Sequence, residues 1–199
     1  MEPILFLVIP CYNEEEVLPE TNRCVGDKLR RMIKDGVVSG KSRILYVNDG
    51  SRDRTWNIIQ ELYRQDEYVT GITLSRNKGH QNALLAGLMT AREYADIVIS
   101  MDADLQDDVE VLDKFVEEYK KGNDIVYGVR KSRKKDTAFK RCTALTFYKL
   151  MRAFGVDMVY NHADYRLMSK RALDGLEKFR EVNLFLRGIV PMIGYASST

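Results

Sequence analysis

The sequence predicts an α/β fold in which a mostly parallel sheet carries helices on both faces. Five short runs of apolar or β-branched residues predict strands, at Ile4–Ile9, Arg43–Val47, Val69–Leu74, Ile97–Met101 and Ile125–Tyr127. Segments with helical periodicity separate these runs. This alternation favours a parallel sheet, because parallel neighbours need a crossover connection that is usually a helix.

Three of the intervening segments carry apolar residues three or four positions apart, which marks one face of a helix. Their members are Ile58, Ile59, Leu62 and Tyr63, then Leu84, Leu85, Leu88 and Met89, and then Leu112, Phe115, Val116 and Tyr119. Asn13 is the predicted N-cap of the first helix. Glu14, Glu15 and Glu16 would then lie in its first turn, where the helix dipole favours acidic side chains.

Composition restricts the class of protein. The chain has 199 residues, of which 45% are apolar and 30% charged, as expected for a globular domain with a full core. Its net charge of +2 argues against a nucleic-acid partner. The longest strongly apolar run, Ile4–Ile9, is far shorter than the ~20 residues of a membrane span. The odd set Cys11, Cys24 and Cys142 favours reduced thiols over disulfides.

Polar segments follow four of the predicted strands. They cover residues 10–14, 48–51, 75–80 and 102–106. In open α/β sheets the ligand binds at the carboxyl ends of the strands, so we expect these segments to meet in one crevice. The chain has no G-x-G-x-x-G after the first strand and no G-x-x-x-x-G-K-[ST] sequence, which disfavours dinucleotide dehydrogenases and P-loop NTPases.

Asp102 and Asp104 are spaced i, i+2 directly after a predicted buried strand. Two carboxylates at this spacing can share one Mg²⁺ or Mn²⁺, which prefers oxygen ligands and is often completed by substrate phosphates. The alternative is a solvated loop that caps a helix starting near Asp108. A zinc site is not predicted, because His80 and His162 lack metal-ligand spacing.

Taken together, the motifs resemble those of glycosyltransferase family 2, and within it the polyprenyl-phosphate glycosyltransferases. The segments that carry the resemblance are Val8–Glu15, Val47–Thr55, Ser75–Gln81, Met101–Asp107, Ala163–Met168 and Phe185–Gly188. The resemblance extends over residues 4–195. It implies one GT-A catalytic domain over residues 1–199, which in the family continues into membrane helices.

The resemblance also implies which residues bind the substrates. It assigns the divalent cation, Mg²⁺ or Mn²⁺, to Asp102, Asp104 and Gln106. It places Arg130 near the sugar phosphate, and Arg166 and Arg187 at phosphates that an arginine fork can bind. The implied substrate contacts are Pro10, Tyr12, Asn13, Glu14, Asp49, Arg76, Asp102, Ala103, Gln106, Arg130, Arg166 and Arg187.

Asp164 is the implied catalytic residue. In the family a carboxylate at this position is proposed to activate the acceptor for an inverting displacement. A phosphate monoester has a second pKa of ~6 and is mostly dianionic at neutral pH, so orienting the acceptor or a cation is an equally open role. A third interpretation makes Asp164 a turn residue before a strand at Tyr165–Met168.

A basic segment follows the fifth predicted strand. Seven of the twelve residues 130–141 are Lys or Arg, and a predicted helix with several aromatic residues follows at Ala144–Phe154. Cations beside such a helix suit an anionic lipid head group at a membrane surface. A solvated loop is the simpler interpretation of the same residues.

The implied activity is transfer of a hexose from a nucleoside diphosphate sugar, with a UDP-hexose as the leading donor, to a polyprenyl phosphate. The implied location is the cytoplasmic side of the membrane, and a homo-oligomer is compatible with the sequence. Two alternatives stay open: a family 2 transferase with a soluble saccharide acceptor, and a non-catalytic subunit that binds a nucleotide sugar.

Overall fold

The computed structural model describes residues 2–129, 162–179 and 185–199. Within these ranges one seven-stranded sheet is accompanied by six α-helices and a short 3₁₀ helix at Val109–Val111. The strands are β1 Leu5–Cys11, β2 Arg43–Asn48, β3 Val69–Thr73, β4 Ile97–Ser100, β5 Ile125–Val129, β6 His162–Ser169 and β7 Ser197–Ser198. The helices are α1 Leu18–Lys34, α2 Thr55–Gln65, α3 His80–Arg92, α4 Leu112–Lys120, α5 Lys170–Leu176 and α6 Leu186–Met192.

The sheet has the order β3-β2-β1-β4-β6-β5-β7. The first four strands in this order are parallel to one another, whereas β6 is antiparallel to both β4 and β5. The prediction of a mostly parallel α/β sheet is thus confirmed. Because β6 runs the other way, its beginning lies at the edge where β1, β2 and β4 end, with Arg166 paired to Ser100.

Helices cover both faces of the sheet, as predicted. Alternate β1 side chains point to opposite faces. Leu5, Leu7 and Ile9 pack with residues of α1, α2 and α4. Phe6 and Val8 pack with residues of α3, α5 and α6 on the other face. Every residue of β1 is buried, which explains why the strand reads as a continuous apolar run.

The start of the first helix differs from the prediction. Helix α1 begins at Leu18, and the predicted cap Asn13 has a φ of 56°, in the left-handed region. Its side-chain oxygen accepts a hydrogen bond from Arg52 N (2.9 Å), so it ties two loops together rather than capping a helix. Asparagine is among the few residues that tolerate this conformation.

The buried face of α2 is narrower than predicted. Tyr63 was expected on that face, but it is 62% exposed.

Some of the sequence predictions fall outside the described residues. They concern Arg130, the basic segment 130–141 and the helix at 144–154. In the described part of the chain, no helix combines the length and the apolar character that crossing a bilayer requires.

Candidate active site

The carboxyl ends of β1, β2 and β4 border a cleft of about 250 Å³, named here the carboxylate cleft. It is lined by Pro10, Cys11, Tyr12, Glu14, Asp49, Asn77, Gly79, His80, Ala83, Asp102, Ala103 and Asp104. Seven of the residues assigned from the family resemblance therefore come together: Pro10, Tyr12, Glu14, Asp49, Asp102, Ala103 and Asp104. The parallel arrangement of the three strands explains this convergence.

Asp49 fixes one wall of the carboxylate cleft. Its backbone N–H donates to Cys11 O (2.9 Å). Its carboxylate accepts hydrogen bonds from the backbone N–H groups of Lys78 (2.7 Å) and Gly79 (2.9 Å). The loop before α3 is therefore held against the end of β2. Gly50 allows this approach, because it has a φ of 64° and an added Cβ would lie 2.5 Å from the backbone carbon of Arg76.

The loop after β4 presents the two spaced aspartates. The hydroxyl of the buried Thr21, on α1, donates to Ala103 O between them (2.5 Å). Asp104 accepts a hydrogen bond from Gln106 N (3.1 Å), and Leu105 takes a φ of 56°. The Asp108 side chain then accepts from Glu110 N (2.9 Å) and caps the 3₁₀ helix.

Carboxylates accumulate in this cleft. Burial raises the pKa of Asp102, and the neighbouring Asp107 and Asp104 raise it further, against an opposing effect of His80. Burial and the charges of Asp104, Asp53 and Asp102 also raise the pKa of Glu14. A divalent cation fits such oxygen-rich, negatively charged surroundings.

A cation here would also need ligands from a substrate. Among the described residues, no group of three or more His, Cys, Asp or Glu side chains is arranged to hold a metal ion by itself. Asp102 and Asp104 would supply two ligands, and phosphate oxygens are the usual completion.

Among the described residues, five of the predicted substrate contacts lie outside the carboxylate cleft: Asn13, Arg76, Gln106, Arg166 and Arg187. Asn13 lines an adjoining acidic cavity with Glu15, Glu16, Val17, Arg52 and Asp53. The Arg76 and Gln106 side chains are exposed and line neither cavity. The hydrogen bond from Gln106 to the aspartate pair comes from its backbone N–H, which donates to Asp104 Oδ1.

A second pocket adjoins the carboxylate cleft at the start of β6. We call it the Asp164 pocket; it is lined by Lys78, Gly79, His80, Gln81, Asn82, Asp102, Asp164 and Arg187. The Asp164 side chain is only 5% exposed. It accepts hydrogen bonds from Arg166 Nη2 (2.7 Å), Arg187 Nη2 (3.1 Å) and Gln81 Nε2 (3.2 Å). Asp164 lies within the strand, so its interpretation as a turn residue before the strand is wrong.

His80 stands between the two cavities and lines both. Its Nε2 is 3.5 Å from Asp164 Oδ2 and 3.9 Å from Asp102 Oδ1. The hydrogen bond to Asp164 raises the pKa of His80, although burial opposes this. The sequence places residues 75–80 at the crevice, but it did not predict that His80 lies between carboxylates of two cavities. Its place next to Gly79, at the start of a helix that follows a strand end, was the available signal.

Cations dominate around Asp164. Burial raises the pKa of Asp164, but the hydrogen bonds from His80 and Arg187 and the charge of Arg166 outweigh it and hold that pKa well below its usual range. Arg166 is fully buried, and its Nε and Nη1 have no hydrogen-bond partner among the described residues. Arg187 and His80 line the Asp164 pocket, and Arg166 is buried against Asp164 without lining it. The positive charge of these groups around one carboxylate favours an anion in the pocket.

Comparison with known proteins places this geometry in a family. The model of the family described as "Glycosyl transferase family 2" matches residues 6–176. The uncharacterized glycosyltransferase YkoT of Bacillus subtilis is 53% identical over 99% of this chain and 58% of its own length. The bactoprenol glucosyl transferase of Shigella phage SfX is 35% identical over 94% of this chain and 59% of its own length. The chain thus spans less than two thirds of these relatives.

Solved structures agree on the fold. A mannosyltransferase from Pyrobaculum calidifontis in complex with GDP-Man and Mn²⁺ has a TM-score of 0.62 at 18% identity, covering 100% of this chain and 55% of its own. Glucosyl-3-phosphoglycerate synthase from Mycobacterium tuberculosis, solved with Mn²⁺, UDP and glucosyl-3-phosphoglycerate, has a TM-score of 0.59 at 18% identity, covering 85% and 58%. The fold is GT-A, and the chain belongs to glycosyl transferase family 2.

Proposed function

We propose that this domain transfers a hexose, with inversion, from a nucleoside diphosphate sugar to a polyprenyl phosphate at the cytoplasmic face of a membrane. The observation that carries the proposal is the adjacency of the two cavities, which share Gly79, His80 and Asp102. A diphosphate in the carboxylate cleft would lie beside an anion in the Asp164 pocket. The relatives named bactoprenol glucosyl transferase support a lipid phosphate as that anion.

The donor would occupy the carboxylate cleft. Pro10, Tyr12, Glu14 and Asp49 line the part proposed for the nucleoside. Asp102 and Asp104 would hold Mg²⁺ or Mn²⁺ against the diphosphate. Gln106 is the third candidate for contact with the cation. Such a cation acts as a Lewis acid that stabilises the charge on the departing diphosphate. A UDP-hexose is the leading donor.

The transfer forms one bond and breaks another. An oxygen of the acceptor phosphate attacks the anomeric carbon, and the bond from that carbon to the nucleoside diphosphate breaks. The bonding electron pair leaves with the nucleoside diphosphate. A phosphate monoester with a second pKa of ~6 is already mostly dianionic at neutral pH, so little proton removal is required.

Asp164 is therefore proposed as an orienting group rather than a base. A carboxylate whose pKa lies below its usual range is a weak proton acceptor. Its four neighbours Arg166, Arg187, Gln81 and His80 are instead held in place by it. Arg166 and Arg187 supply the positive charge that a phosphate dianion needs.

The remaining predictions are kept as proposals. They are a single catalytic domain over residues 1–199, membrane contact through the basic segment 130–141, a role for Arg130 near the sugar phosphate, and a homo-oligomer. The small net charge of +2 still argues against a nucleic-acid partner.

Calorimetry and a transfer assay together test the proposal. With Mn²⁺ present, UDP should bind more tightly than GDP, and the corresponding UDP-hexose should give a labelled product with polyprenyl phosphate. Transfer to a soluble saccharide but not to polyprenyl phosphate would mean that the acceptor is a sugar. Donor binding without transfer to any acceptor would favour a non-catalytic subunit.

A further inference from the structure

Gln81 connects three elements of the fold at the Asp164 pocket. It is the second residue of α3, and its amide makes two hydrogen bonds of opposite polarity. Its Nε2 donates to Asp164 Oδ2 on β6 (3.2 Å), and its Oε1 accepts from Leu186 N at the start of α6 (3.2 Å). The two bonds fix the orientation of the amide, because a carboxylate only accepts and a backbone N–H only donates.

The hydrogen bond from Leu186 N to Gln81 gives the first turn of α6 an acceptor from outside the helix. The residue before this helix is Phe185, which has no side chain that can accept a hydrogen bond from the first turn. The first backbone N–H groups of a helix need outside partners, and Gln81 provides one from another helix. The next residue after Leu186 is Arg187, whose guanidinium returns to Asp164 at 3.1 Å.

These contacts close a ring. It runs from the Gln81 amide to Leu186 N, along the chain to Arg187, from its guanidinium to Asp164, and back to Gln81. The ring sets the position of Arg187 relative to Asp164 before any ligand arrives. Gln81 lines the Asp164 pocket but not the carboxylate cleft.

The geometry points to Gln81 as a positioning residue for the acceptor side of the site. By holding Asp164 and the start of α6 together, it fixes the arginine that meets the acceptor phosphate, and it leaves donor binding untouched. That the acceptor is a phosphate rests on the proposed function. The hydrogen bonds that join Gln81 to Asp164 and to the start of α6 do not depend on it.

Glutamine is the side chain that this position requires. Glutamate keeps an oxygen for Leu186 N but loses the donor for Asp164 and brings two carboxylates together. Alanine removes both bonds. Gln81→Glu therefore breaks the link on one side with almost no change in shape. Gln60→Glu makes the same chemical change at an exposed position of α2 and is the matched control.

Thermal unfolding measures the link without any assay of activity. Gln81→Glu should lower the Tm by about 2–4 °C, whereas Gln60→Glu should leave it within about 1 °C. Adding Asp164→Asn to Gln81→Glu places an amide donor opposite the introduced carboxylate, so the double variant should lose at least about 2 °C less than the sum of the two single losses. Strictly additive losses, or an unchanged Tm in Gln81→Glu, would overturn the link.

Ligand binding measures how the Gln81 hydrogen bonds affect the acceptor side of the site. For Gln81→Glu, calorimetry should give the same affinity for UDP with Mn²⁺ as in the parent, within about twofold. Its affinity for farnesyl phosphate should fall about tenfold, because the cationic partner of the phosphate is displaced. Gln81→Ala should behave alike, and Gln60→Glu should match the parent for both ligands.

Two results separate the possible failures. Equal weakening of UDP and farnesyl phosphate in Gln81→Glu would overturn Gln81 as an acceptor-side residue. A parent protein that binds UDP but not farnesyl phosphate would overturn the proposed acceptor, and the unfolding experiment would still decide whether Gln81 holds Asp164.

Discussion

Arg166 and Asp164 form an ion pair inside the protein, with Arg166 Nη2 2.7 Å from Asp164 Oδ1 and the arginine side chain fully buried. The two residues are two positions apart on β6, so their side chains lie on the same face of the sheet. Asp164 therefore has a structural partner as well as a place in the candidate active site. A substitution of Asp164 will act on stability and on turnover together.

Asp164→Ala should cost about 3–5 kcal/mol in the free energy of unfolding, because it leaves the buried charge of Arg166 without its carboxylate. Urea unfolding measures this. Asp27→Ala is the control, since the Asp27 side chain is 59% exposed, and it should change stability by no more than about 0.5 kcal/mol. Equal stabilities of the two variants would show that the pair does not stabilise the fold.

Acid should remove this contribution. The folded-state pKa of Asp164 is lowered, so the ionised carboxylate stabilises the fold above its unfolded pKa of about 3.9. The contribution is lost as the pH falls through the lowered folded-state value. The stability advantage of the parent over Asp164→Asn should thus shrink between pH 5 and pH 2. An advantage that grows on acidification contradicts the lowered pKa.

The pH dependence of turnover distinguishes an orienting role from a base at Asp164. Asp164→Asn should lose on the order of 10²-fold in turnover, and the loss should not shrink between pH 7 and 8.5. A phosphate monoester, the proposed acceptor, is already mostly dianionic in that range. Initial rates at saturating donor test this, with circular dichroism to confirm that the variant is folded. A defect that disappears by pH 8 would assign proton removal to Asp164.

Asp104→Ala should weaken UDP binding by more than about tenfold, because the charge of the diphosphate would lose its metal-mediated contact with the cleft. Calorimetry with Mn²⁺ measures the affinity, and an excess of chelator should weaken UDP binding to the parent similarly. Asp27→Ala again serves as the control. Undiminished affinity in the variant or in chelator would mean that UDP binding needs no cation.

Thr21→Val tests how the loop that carries Asp102 and Asp104 is held. The substitution keeps the shape of the buried side chain but removes the hydroxyl that donates to Ala103 O. It should cost about 1–3 kcal/mol, because a buried carbonyl loses a partner, and should weaken Mn²⁺-dependent UDP binding several-fold.

Thr90→Val is the matched control for this loop. The Thr90 hydroxyl donates to Ala86 O within its own helix (2.8 Å) and touches no part of the cleft. It should leave UDP affinity unchanged. If both valine variants bind UDP as the parent does, the Thr21 hydrogen bond does not position the aspartates.

The sequence was sufficient to predict the fold class, because the apolar patterns that distinguish buried strands from helices are local. Continuous apolar runs such as β1 are buried on both faces of a parallel sheet, and the periodic segments between them became α2, α3 and α4. The convergence of Pro10, Tyr12, Asp49 and Asp102 also followed, since strand ends of a parallel sheet share one edge. Family membership, inferred from the same motifs, is confirmed.

The sequence did not predict correctly where the first helix begins or what the Asn13 side chain binds. Asn13 followed by three glutamates is a common helix start, yet Asn13 uses its amide to hold the loop after β2. Which partner a short polar side chain finds depends on what the rest of the chain brings near it. The Asp108 side chain, by contrast, finds its partner Glu110 N only two residues along the chain.

Tertiary structure alone decided which side chains are paired with one another around Asp164. Its ion pairs and hydrogen bonds join residues 81, 164 and 187, which the antiparallel direction of β6 and the start of α6 bring together. Spacing along the chain carries no trace of such contacts, because they depend on strand direction and helix placement. For the same reason His80 looked like an isolated histidine in sequence. In the folded protein it lies within 4 Å of carboxylates from two cavities.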